Sequence, residues 1–178
     1  CTAPWPGGLG NTSADPQLAS AYHISAGSPC RGAGSTNYAA GVDIDGEAWA
    51  KPPSIGCDEY WSGNVSGPLS VSIRAASAYV TPGVSVDFTA LISGKTTASL
   101  WNFGDWTLLV NRPYVSHAWW ATGDYTVVLT AYNEDYPVGL SATVTVHVVE
   151  QVVHYVSQGN ANPVAPYTSW ETAATNIQ

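Results

Sequence analysis

Hydrophobic and polar positions alternate with a period of two through the middle of the chain, and almost nowhere with the period of a helix. Leu69-Ser-Val-Ser-Ile-Arg74 alternates strictly, and Thr81-Pro82-Gly83 makes a turn before Val84-Ser-Val-Asp-Phe-Thr-Ala-Leu-Ile92. A polar Gly-containing connection, Ser93–Thr97, leads into Ala98–Phe103. A short strand near Val115, a Gly123-Asp124 turn and the long strand Tyr125–Tyr132 follow. Asn133–Gly139 reads as a second loop before Ser141-Ala-Thr-Val-Thr-Val-His-Val-Val149. Residues 69–149 thus predict about seven strands at short spacing, the pattern of a two-sheet immunoglobulin-like sandwich. The first sixty residues differ, since turn residues recur so densely that no strand exceeds a few positions.

Composition narrows the function classes. An apolar fraction of 45% is enough for a core, while charged residues make up only 10% of the 178, against about a quarter in an average domain. The net charge of −8 reflects scarce bases, with Lys51 and Lys95 the only lysines. No basic patch exists to neutralise phosphates, which argues against nucleic acid as a partner. No apolar run reaches the roughly 18 residues of a membrane span, and no charged-then-apolar leader opens the chain. The 8 Trp and 10 Tyr against 2 Phe suit half-buried sheet faces, or an exposed surface that meets sugar or another subunit. Trp119-Trp120 is the sharpest case, because strand neighbours face opposite ways and only one can enter the same core. The other needs a separate cover, and Trp120 is the candidate contact residue.

Trp101-Asn-Phe-Gly-Asp105, Ser116-His-Ala-Trp119 and Gly123-Asp-Tyr-Thr-Val-Val-Leu-Thr-Ala-Tyr-Asn133 together resemble the signature of the PKD (polycystic kidney disease) domain family. The pattern departs at Trp106, where the family has a second Gly. The resemblance implies a β-sandwich in which Trp101, Phe103, Gly104, Asp105, His117, Trp119 and Tyr125 are structural, and an extracellular spacer or adhesion module without catalytic activity.

The flanks carry a second resemblance. Asn11-Thr-Ser-Ala-Asp-Pro-Gln-Leu18, Tyr22–Gly34, Val42-Asp-Ile-Asp-Gly46 and Ile55-Gly-Cys-Asp-Glu-Tyr60 resemble the closing end of bacterial right-handed parallel β-helix domains, departing at Ser54, Cys57 and Asp58. His154-Tyr-Val-Ser-Gln-Gly-Asn-Ala-Asn-Pro163 and Tyr167–Gln178 resemble the opening of the same class, which starts with a short capping helix; Ser169, Glu171 and the Ala pair suit one. The expected organisation is all-β: a β-helix end over 1–62, a PKD-like sandwich over 63–150, and the start of a further β-helix over 151–178. Incomplete solenoid ends imply neighbours that stack on them, hence partners that are copies of the same chain.

Candidate chemistry is sparse. Cys30 and Cys57 are the candidate disulfide, worth about 3 kcal/mol by chain entropy. For Cys1, a stacked core residue or a pairing elsewhere is favoured over acylation, because solenoid-like sequence follows directly. Asp43-x-Asp45-Gly-Glu47 has the alternating oxygens of a calcium loop but lacks the rest of an EF-hand, so a turn held by Asp side chains is favoured. His23, His117, His147 and His154 show no metal spacing, which argues against zinc. No catalytic motif is present and no cofactor is implied beyond that weak calcium pattern. Asn11-Thr-Ser and Asn64-Val-Ser are glycosylation acceptor sequons. The expected protein is a non-catalytic structural or adhesive repeat unit of an extracellular, bacterial surface protein or filament. The alternative is a carbohydrate-binding spacer of a secreted polysaccharide-degrading enzyme.

Overall fold

The computed structural model describes residues 12–177; Cys1 and the Asn11 sequon position lie outside them. Chain contacts divide into two units, Cys1–Val148 and Val149–Gln178.

Eight strands form the centre of the first unit: β1 (Ser70–Ala75), β2 (Tyr79–Val80), β3 (Val86–Ser93), β4 (Ala98–Asn102), β5 (Leu108–Val110), β6 (Tyr114–His117), β7 (Gly123–Asn133) and β8 (Tyr136–Val148). They make two sheets, ordered β1-β3-β6 and β2-β8-β7-β4-β5. Within these two sheets only the short β2–β8 pairing is parallel. Alternation does what it predicts: Val86, Phe88, Ala90 and Ile92 of β3 point inward, and Val127, Leu129 and Ala131 of β7 meet them from the other sheet.

Aromatic rings fill the core. Phe88 lies 5.9 Å from Trp101, 5.7 Å from Phe103 and 6.2 Å from Trp119, mostly tilted or edge-on. The two buried indoles satisfy their N–H groups, Trp101 on the Arg112 carbonyl at 2.8 Å and Trp119 on that of Phe103 at 3.1 Å. Tyr125 stacks on Trp119 and donates its hydroxyl to the Ala121 carbonyl, pinning the start of β7.

Two local expectations are corrected. The loop expected over 133–139 is a two-residue turn, because Asn133 closes a tight hairpin: its Oδ1 accepts the Tyr136 N–H, while its Nδ2 donates to the carbonyls of Gly67 and Lys95, each at 3.0 Å. The capping helix expected at Ser169 is a single turn. Thr172 N–H reaches back to Ser169, but Ala174 N–H goes to Tyr155 and the backbone leaves the helical path.

Neither flank forms a sheet among the described residues. Residues 12–68 carry two isolated antiparallel bridges, Leu18↔Ile24 and Val42↔Ala48. In the second unit, one parallel bridge joins Val156 to Ala174, and Tyr155 packs on Trp170 at 4.7 Å. Ala173 is its one buried apolar residue among those described.

Candidate functional site

The turns of residues 12–68 are held by buried carboxylates rather than by an apolar cluster. Asp43 accepts the N–H groups of Asp45 and Glu47 on one oxygen and that of Glu59 on the other. These bonds close the Asp43–Glu47 turn, leaving Asp43 committed to backbone, while Glu47 pairs with Lys95 at 2.7 Å. Glu59 in turn accepts the N–H groups of Ala50 and Ser54 and the Ser54 hydroxyl. Asp58 accepts the N–H of Ile24 at 2.7 Å.

These turns bring together residues that sequence spacing keeps apart. His23, Asp45 and Asp58 each place one ligand-type atom within 4.8 Å of the other two. His23 Nε2 is 3.3 Å from Asp45 Oδ2, and Ser20 Oγ holds the opposite ring nitrogen at 2.7 Å. Burial, chiefly, pushes the Asp58 carboxyl up to about 6; the Ile24 N–H and His23 oppose this, and Asp43 and Asp45 add to it. Lys95, from the β3–β4 connection, reaches Glu47 and comes within 3.7 Å of Asp45; its hydrogen bond to Glu47 raises its pKa above the ordinary lysine value. H-x-x-x-H spacing does not reveal this group, because its members sit on three separate turns. The acidic turn at Asp43–Glu47 was the only signal for it.

Lys95 is also one of several ties between residues 12–68 and the sandwich. Glu134 N–H donates to the Val65 carbonyl, Gly67 N–H donates to Asp135, and Arg112 pairs with Asp15. All but the last cluster at the end of the sandwich that carries the β3–β4 and β7–β8 connections.

The opposite end is aromatic and exposed. Asp105 accepts the Thr107 N–H and lies 2.8 Å from His117 Nε2, and His117 stacks on Phe103 at 4.3 Å. Burial alone would raise the Asp105 carboxyl, but hydrogen bonds from His117 and Thr107 outweigh it and hold it below the usual value. Gly104 adopts φ 77°, and a Cβ there would meet the Thr126 carbonyl oxygen at 3.0 Å. Trp106 has φ 73°, a left-handed backbone that glycine adopts without strain and tryptophan does not. Its side chain is 99% exposed, and Trp120 on the adjoining loop is 83% exposed while Trp119 is buried. Asp124 bonds His147 at 2.7 Å, and Tyr79 stacks on that ring.

Asn64 is exposed in the stretch leading to β1. The expected Cys30–Cys57 bridge is not formed. Cys30 is buried, whereas Cys57 is exposed with its sulfur 3.7 Å from the Tyr22 carbonyl. Among the described residues no helix is long and apolar enough to cross a membrane.

Residues 70–148 match the family model of the PKD domain. Among solved structures, the chain is similar to the PKD1 domain of Vibrio anguillarum Epp, at 19% identity over 48% of this chain and 98% of that one, with a TM-score of 0.39. It is also similar to the PKD domain of the human VPS10 domain-containing receptor SorCS2, at 25% identity over 51% and 78%, TM-score 0.39. A third is a structure of carbohydrate-binding modules from the β-sandwich superfamily, at 17% identity over 55% and 39%, TM-score 0.43. No curated protein matches the chain.

Proposed function

We propose that this protein is a non-catalytic structural unit of an extracellular assembly, built on the PKD domain matched at residues 70–148. In this reading, residues 1–62 close one β-helix, residues 151–178 open the next, and the sandwich is the spacer between them. The observation that carries it is the path of the chain. It enters β1 at Ser70, beside Ser93, and leaves β8 at Val148, beside Gly123 at the other end of the sandwich. A domain threaded end to end transmits load along its length and suits tandem repetition.

The exposed apolar side chains of the flanks support self-association. Val152, Val153, Val164, Trp170 and Ile177 of the second unit are exposed, as are Tyr38, Val42 and Ile44. A segment this short with so little buried surface needs a neighbour to order it. Stacking of flank on flank between copies yields a homopolymer at the bacterial surface, and glycans on Asn64 keep a surface with few charges soluble.

Electron microscopy and light scattering at rising protein concentration test this. Filaments with an axial repeat of one chain support it, and a monodisperse monomer at millimolar concentration sinks it. The second reading, a carbohydrate-binding spacer of a secreted enzyme, draws on Trp106 and Trp120. For that reading, affinity electrophoresis in polysaccharide gels shows retardation that Trp106→Ala and Trp120→Ala abolish.

A further inference from the structure

We propose that His23, Asp45 and Asp58 form a binding site for a divalent cation of the zinc type. The inference stands apart from the spacer reading and requires neither polymerisation nor sugar binding. The separation of 3.3 Å between His23 Nε2 and Asp45 Oδ2 is about the edge that ligands on bonds of about 2.1 Å span at a tetrahedral angle. One oxygen of Asp58 lies within 4.8 Å of both atoms, so a small side-chain shift brings it to the third corner. Ser20 Oγ on the far nitrogen orients the imidazole so that Nε2 faces the carboxylates, as outer partners do in histidine metal sites.

An independent observation points to the same ligand. Asp58 is 5% exposed, and its Oδ2 takes the Ile24 N–H. Among the described residues no hydrogen-bond donor reaches its other oxygen. Little water reaches this carboxylate, so its charge is expensive to keep without a cation beside it. Lys95 does not relieve it, because its short contact goes to Glu47. The pocket into which Asp58 faces is lined by His23, Asp45, Glu47, Glu59 and Lys95, so acids outnumber bases. A dication between Asp45 and Asp58 balances both charges. One imidazole nitrogen with two carboxylate oxygens suits zinc, whereas calcium takes about six to eight oxygens.

The site has a structural use. Its three ligands come from three turns of a region whose buried apolar side chains among the described residues are few, with Ala19, Ile24 and Cys30 in its first half. A metal tying those turns substitutes for a core that the region lacks.

The test is isothermal titration calorimetry of the full chain, stripped with a chelator, against zinc chloride at pH 7.5, with thermal unfolding in parallel. Saturable one-to-one binding and a rise in Tm are expected, with calcium chloride far weaker. Asp58→Asn keeps an acceptor for the Ile24 N–H, so it preserves the fold while lowering zinc affinity by about 10- to 100-fold; His23→Gln does the same. Absence of saturable zinc binding by the native chain, undiminished binding by both variants, or calcium binding as tight as zinc each overturns the proposal.

Discussion

In the sandwich, Phe88, Trp101, Phe103 and Trp119 pack ring against ring at the centre of two sheets. In residues 12–68 the buried central positions are held by Asp43, Asp58 and Glu59, whose oxygens accept backbone N–H groups from other turns. Each large ring removes about 200 Å² from water, worth about 5 kcal/mol before the entropy of ordering is counted. A carboxylate pin gains about 1.5–3 kcal/mol per hydrogen bond and loses much of that to desolvation. One chain therefore holds a region that is stable by burial beside a region that is specified by polar geometry. The second region opens first, and its opening responds to pH and ions far more than the first.

The largest effect expected comes from the burial side. Trp101→Ala leaves a cavity and an unpaired Arg112 carbonyl, and it destabilises the sandwich by about 3–5 kcal/mol in urea unfolding. The intact flank does not compensate.

Next comes the join between the regions. Asn133→Ala removes the donors to Gly67 and Lys95 and the acceptor for Tyr136, at a cost of about 2 kcal/mol. Limited proteolysis then cuts near residues 62–68 faster than in the native chain, while the sandwich resists.

The pH response separates the two regions by sign, measured with a chelator present. Asp58 titrates at about 6 in the folded chain and near 3.9 when unfolded, so the folded state binds more protons between those values. Its contribution is fully present below about pH 3.9 and is lost as pH rises through about 6. Acidification from pH 7.5 to 5 thus slows proteolysis of the flank, and Asp58→Asn removes that response. Asp105 is held below its ordinary value. Its contribution is present above about pH 3.9 and is lost as pH falls through its lower folded value, so tryptophan fluorescence reports a weaker sandwich only in stronger acid.

The smallest effect belongs to Trp106. Replacing it with Gly relieves the left-handed backbone, offset by the greater freedom of Gly in the unfolded chain. The net gain is about 0.5 kcal/mol in thermal unfolding, and a loss of stability instead would mean that the exposed ring makes contacts worth more than the strain.

The sandwich was legible because its information is local. The two-residue alternation of Val86–Ile92 and Val127–Ala131 puts apolar side chains on one face whatever the neighbours do, and Gly104 marks a turn where a Cβ would crowd the Thr126 carbonyl. Alternation alone says that one of Trp119 and Trp120 is buried; the motif resemblance named Trp119, and the structure buries Trp119 and leaves Trp120 exposed. The hairpin at Asn133 and the turn at Ser169 depart from their local pattern, because partners distant in sequence set their backbones. The cluster of His23, Asp45 and Asp58 lay furthest from view. Its residues have no common period, and a carboxylate becomes a buried ligand only after the fold has removed its water and chosen its neighbours. Apolar periodicity is written along the chain, whereas the geometry of a polar site exists only where separate turns are brought together.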